Sequence, residues 1–87
     1  MEFNFIKAIS QSSHLQTLAV RLREPEHLLR NFQRCINQNW QGPEMHGVNV
    51  SVENTINRLR TLSTELELIA RDIHIAAETI KEKEAIL

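Results

Sequence analysis

Tyrosine is absent from this 87-residue chain, which also has only one Cys, one Trp, two Gly and two Pro. The single cysteine, Cys35, excludes an intramolecular disulfide and leaves any metal cage to other side chains. With so few helix breakers, tight turns are few, and the residues that abound (Leu, Ile, Glu, Arg and Gln) suit helices. A formal net charge of -1 excludes the global basic field that draws a protein onto nucleic acid or anionic lipid. No uninterrupted apolar run approaches the roughly 20 residues of a membrane span. What remains, 41% hydrophobic and 24% charged residues, is the composition of one small folded domain with limited core-forming capacity.

The scarce residues cluster. Asn39-Trp40-Gln41-Gly42-Pro43, near the middle of the chain, holds the sole Trp, one Gly and one Pro. Gly can adopt the left-handed conformation that ends a helix, and Pro fits the first turn of the next. The stretch therefore reads as the hinge of a helical hairpin, with the Trp40 indole more often a core anchor at the bend than a recognition residue. Ahead of it, residues 1–13 read as an N-terminal arm. Phe3, Phe5, Ile6 and Ile9 are interrupted by Glu2, Asn4 and Lys7 too often for a signal-peptide core. Phe3, Ile6 and Ile9 suit one face of a short helix, a flexible arm being the alternative. Ser10-Gln11-Ser12-Ser13 reads as a polar break, in which Ser12 or Ser13 can cap the helix that follows.

The hairpin is read over 14–87, with arms of about 14–39 and 51–84 and the turn around 40–43. In the first arm Leu15, Leu22, Leu29 and Ile36 repeat every seven residues, flanked by Leu18 and Phe32 and widened by Ala19, Leu28 and Cys35. Cys35 reads as a small core residue on that face. Pro25 interrupts the helix, and because the apolar register continues across it a kink is expected rather than a stop. Residues 43–49 read as a loop or irregular helix, with Ser51 as a capping option. From Val52 the row Val52, Leu59, Leu66, Ile73 and Ile80 recurs every seven residues, joined by Ile56, Leu62, Ile69, Ala70, Ala76 and Ala77. Leu68 and Ile75, also seven apart, lie off this stripe and extend the face toward a further partner.

Two amphipathic helices joined by a tight turn pair antiparallel, but a lone pair cannot shield stripes this wide. The sequence thus predicts an all-α fold: an antiparallel helical hairpin that pairs with a second hairpin into a four-helix bundle. The apolar residues named above would form the partner interface. The partner is a protein, in a homodimer or a heterodimer, and neither nucleic acid nor stable membrane insertion is expected.

Catalysis has little to stand on. His14, His27, His46 and His74 are scattered, no pair has the helical spacing of a metal site, and none forms a set with Cys35. His46 near Glu44 reads as a structural or solvent-facing pair. There is no phosphate loop or nucleophile elbow, so no enzyme, metal or cofactor is expected. Arg21, Arg23, Arg30 and Arg34 recur along the first arm, but Glu24 and Glu26 interrupt them and no aromatic residues interleave for stacking. A solvated face, or a charged seam to an acidic partner, accounts for them.

With Trp40-Gln41-Gly42 at the bend of two long heptad helices, the chain resembles the WXG family of type VII secretion proteins, relatives of the early secreted antigenic target. The resemblance covers about His14 to Glu84. It implies a hairpin that dimerises into a four-helix bundle, lies in the cytoplasm before export, and is then secreted without a cleaved signal peptide. The family's export signal is a Tyr followed four residues later by Asp or Glu. Here Ile80 stands at the Tyr position and Glu84 at the acidic one. A relative with such a degenerate signal would travel as the partner of a chain that carries a full one, such as the helical N-terminal domain of a toxin. The competing reading is an intracellular coiled-coil adaptor or chaperone of another secretion apparatus, with the Trp-x-Gly coincidental.

Overall fold

The computed structural model describes residues 3–40 and 42–86; Gln41, the middle of the Trp-x-Gly string, lies outside the described residues, as do Met1, Glu2 and Leu87. Three helices form the described structure: α1 (Phe5–Arg21), α2 (Pro25–Asn39) and α3 (Glu44–Ile86). α1 and α2 make one bent arm, and α3 runs back alongside it in a rod of 69 × 17 × 15 Å. That length agrees with the roughly 65 Å expected for the 43 residues of α3 at 1.5 Å each.

The first arm begins earlier than the sequence suggests. Asn4, not Ser12 or Ser13, caps α1: its extended backbone lets the side-chain oxygen accept the Lys7 N–H at 2.9 Å. The stretch read as a polar break is helix interior. At the far end of α1, Arg23 N–H reaches Val20 O at 3.1 Å and Glu24 N–H reaches Arg21 O at 3.2 Å, bonds that tighten the last turn. Pro25 then occupies the first position of α2, where its missing amide hydrogen is no loss. The kink expected within a continuous helix is therefore a stop and restart, and because Leu22 and Glu24 keep right-handed helical backbone the arm bends at Leu22–Glu24 without reversing.

The hinge also departs from expectation. α2 ends because Trp40 turns extended (φ -127, ψ 124) while its N–H still reaches Ile36 O at 2.8 Å. The stretch 44–49, read as loop or irregular helix, is the first turn and a half of α3. Met45 N–H and His46 N–H bond Gly42 O and Pro43 O there, at 3.1 and 3.2 Å.

The deepest packing is between small side chains. Ser12 and Ala19 on α1, and Ser63, Ala70 and Ala77 on α3, are all buried. On each helix these residues recur every seven positions, so they face one another along an antiparallel seam. Small side chains let two helices approach toward the near end of the usual 8–10 Å interaxial range. At that separation a hydroxyl can reach the neighbour's backbone. Ser12 Oγ donates to Ala70 O, and Ser63 Oγ donates to Ala19 O, each at 2.7 Å. Beyond the bend the seam continues on larger α3 residues: Ile56, Val52 and Met45 are buried, whereas α2 contributes no fully buried residue. Val52 and Ile56, expected at a partner interface, therefore belong to the interior of the hairpin.

Ala70→Leu should force the seam apart and lower stability by about 1–3 kcal/mol. Ile69→Leu, its neighbour in sequence but outward-facing, should stay within about 0.5 kcal/mol. Urea unfolding followed by helical circular dichroism checks both.

Candidate partner-binding face

With the Ser12–Ala19 and Ser63–Ala77 rows turned toward each other, the remaining rows sort onto two faces. On α1 and α2, the row Leu15, Leu22, Leu29 and Ile36 lies three positions past the seam row, and on α3 so does Leu59, Leu66, Ile73 and Ile80. In antiparallel right-handed helices, equal offsets from the contact row project to the same side of the pair. Both rows are therefore on one face. The next rows out, Leu18 and Phe32 on the bent arm and Leu62, Ile69 and Ala76 on α3, widen it. Leu18, Phe32, Leu62 and Ile69 are 46, 52, 44 and 47% exposed.

The opposite face carries the chain's internal ion pairs, beside the exposed Ile6, Val20 and Val50. Arg23 donates to Ser63 Oγ at 2.8 Å and to Glu67 Oε1 at 2.9 Å. Arg30 grips both carboxylate oxygens of Glu53, the second contact at 3.2 Å, and Arg60 pairs with Glu26. Near the hinge, the Asn37 and Asn49 side-chain amides exchange reciprocal hydrogen bonds of 3.0 Å, and Gln33 adds a third to Asn49 at 3.2 Å. Two of the arginines noted as a possible nucleic-acid patch, Arg23 and Arg30, are thus committed to carboxylates. The bidentate Arg30 guanidinium holds the Glu53 carboxyl below the ordinary glutamate range, chiefly through the hydrogen bond, and the same bond raises Arg30.

Trp40 lies at the end of the rod and is 69% exposed, so it does not seal the hairpin. Gly42 is exposed, and a Cβ there would meet only the flexible Glu44 carboxylate, 2.6 Å from its Oε2. Its backbone needs no glycine. Cys35 is exposed on α2, not a core residue, and Leu28 beside that row is exposed as well. Ile80 and Glu84 both lie on the exposed surface of the last turns of α3. Leu68 and Ile75 face away from the apolar face and are exposed. Among the described residues His74 pairs with Glu78 across one turn, and no three His, Cys, Asp or Glu side chains gather. No helix among them is long and apolar enough to cross a membrane.

The rod exposes 6947 Å². A compact monomer of its 10.1 kDa would expose about 5,300 Å², so the surplus is about 1,600 Å². That surplus exceeds the roughly 800 Å² each partner contributes to a standard protein interface. Comparison with protein-family models, with curated proteins and with solved structures finds no match to this chain.

What sequence reasoning missed was the pair of seam serines. The signal was present in the seven-residue row Ile56, Ser63, Ala70 and Ala77, in which the sequence reading took the apolar members and passed over Ser63.

Two outcomes are expected. Because the folded Glu53 carboxyl is held below its ordinary value near 4.3, its contribution to stability is fully present above that pH and is lost as pH falls through the lowered value. Glu53→Gln should flatten that part of the acid-unfolding profile followed by circular dichroism. Gly42→Ala should fold with unchanged helicity and a midpoint shifted by no more than about 0.5 kcal/mol.

Proposed function

We propose that this chain is a small helical partner protein whose apolar face takes up a second helical hairpin to complete a four-helix bundle. By its resemblance to the WXG proteins, it would serve a type VII secretion system, exported with a larger effector or targeting and chaperoning it. One observation carries the pairing: the flank that holds the ion pairs is satisfied within the chain, while Leu18, Phe32, Leu62 and Ile69 stand half exposed together on the other. Burying such a face contributes roughly 25 cal/mol per Å², which favours a partner over solvent. Trp40 supports a recognition role beyond the fold, because an exposed indole at the bend is a rigid amphipathic anchor of the kind enriched at interfaces.

Ile80 in place of the family's Tyr favours the partner role over autonomous export, with Glu84 as the retained acid. It equally favours the second reading, an intracellular adaptor or chaperone of another secretion apparatus. The two differ at Trp40. Under the type VII reading, Trp40→Ala abolishes export of the partner while helicity and complex mass are retained. Under the adaptor reading it leaves function intact.

Phe32→Asp combined with Ile69→Asp should abolish bundle formation while leaving the seam, and hence the helicity, in place. Light scattering after size exclusion, on the chain alone and co-expressed with a helical neighbour, reads the complex mass. A stable monomer that takes up no helical partner would remove the pairing reading altogether.

A further inference from the structure

The contact line between the helices changes chemistry at the bend. On α1 its row is Ser12 and Ala19, both buried; on α2 the same seven-residue row continues as Glu26 and Gln33. Ser12–Ala70 and Ala19–Ser63 set a register that places Ile56 opposite Glu26 and Asn49 opposite Gln33. The Gln33–Asn49 bond of 3.2 Å shows that this register holds beyond the bend. Polar side chains thus stand on the contact line in the half nearer the hinge, where Glu26 turns aside to Arg60. A polar residue at such a position fixes register at a cost in stability.

The two halves are also fastened differently. Between α1 and α3, buried hydroxyls bond backbone carbonyls. Between α2 and α3, every hydrogen bond and ion pair among the described residues runs from side chain to side chain: Arg30 to Glu53, Arg60 to Glu26, and Gln33 and Asn37 to Asn49. These groups are half-buried or exposed, so each pair contributes little. α2 buries no residue fully and has a joint at either end: Pro25, which has no amide hydrogen, and Trp40, which is extended. We infer that α2 is a latched arm, which opens from α3 as one unit while the α1–α3 seam stays closed. This goes beyond the pairing reading and needs no second hairpin. Opening uncovers Met45, Val52 and Ile56, which are buried at the level of α2, and frees the half-buried Leu29 and Ile36. A concealed apolar surface at the Trp40 end is therefore gated by Arg30–Glu53, Glu26–Arg60 and the amide cluster at Asn49. A 15-residue helix is marginal once detached, so α2 loses its helix as it opens. Proteins open in such cooperative units, the least packed first.

Native-state hydrogen exchange on the full chain tests this. The hydrogen-bonded amides of α2 should share one protection factor, at least about tenfold below that of residues 63–77. Arg30→Gln should lower the α2 value about two- to fivefold. Ser12→Ala, which removes a seam hydrogen bond, should lower protection over 63–77 about two- to tenfold. It should leave α2 unchanged, because the seam is closed both before and after the arm opens. If Ser12→Ala lowers protection of α2 in step with 63–77, the hairpin opens only as a whole and the inference is overturned. Protection that declines residue by residue along α2, untouched by Arg30→Gln, marks fraying and overturns it too. Neither result bears on the pairing face, which light scattering reads separately.

Discussion

Close approach of α1 and α3 along the small-residue seam is the constraint on which the rest of the structure depends. With Ser12 opposite Ala70 and Ala19 opposite Ser63, the contact line over these levels holds only small side chains, larger ones entering the same rows at Phe5 and Ile56. Leu59, Leu66 and Ile73 are displaced to one side of it, and Glu53, Glu67 and Arg60 to the other. The two serine hydroxyls serve the same end. Each bonds a carbonyl of the opposing helix at 2.7 Å, which ties the axial register to side chains that fit only at short separation. Ser63 is doubly committed, since its oxygen also accepts from Arg23.

From that register the two-faced character follows. The polar side is held by Arg–Glu pairs whose individual contributions are small in water, as exposed ion pairs are. Their effect is directional: they spend the complementary charges of that flank inside the chain. The apolar side has no such internal outlet. A rod 15–17 Å thick has too little interior to absorb both seven-residue rows, so residues as large as Phe32 and Ile69 remain half in solvent. The same geometry that makes the hairpin regular leaves part of its apolar surface in solvent.

The hinge shows how a motif and its mechanics can separate. A Trp-x-Gly string at a bend invites the view that glycine turns the chain and tryptophan seals it. Here Trp40 itself leaves the helix with extended backbone, Gly42 has open space for a Cβ apart from the flexible Glu44 carboxylate, and the indole stands exposed. Neither residue is required by the fold of the hairpin in the way the string suggests. The indole is held by no packing inside the hairpin, so its exposure has no explanation within the fold itself.

The sequence by itself determined the helical class, the reversal near Trp40 to Pro43, the bend at Pro25 and the outward apolar rows. Composition and seven-residue periodicity are local properties, and they survive without knowledge of any neighbour. Tertiary structure alone decided which row was the contact line. Ser12 reads as a cap, and Ser63 draws no reading, because a hydroxyl is buried at little cost only when a carbonyl is placed to accept from it, and Ala70 and Ala19 supply those carbonyls from distant positions in the chain. The early start of α1 has the same cause: Ser10 to Ser13 resembles a break until packing against α3 rewards continuing the helix. Which side was apolar likewise became visible only once the small residues had claimed the seam, since a helix stripe has no left or right until its partner is in place.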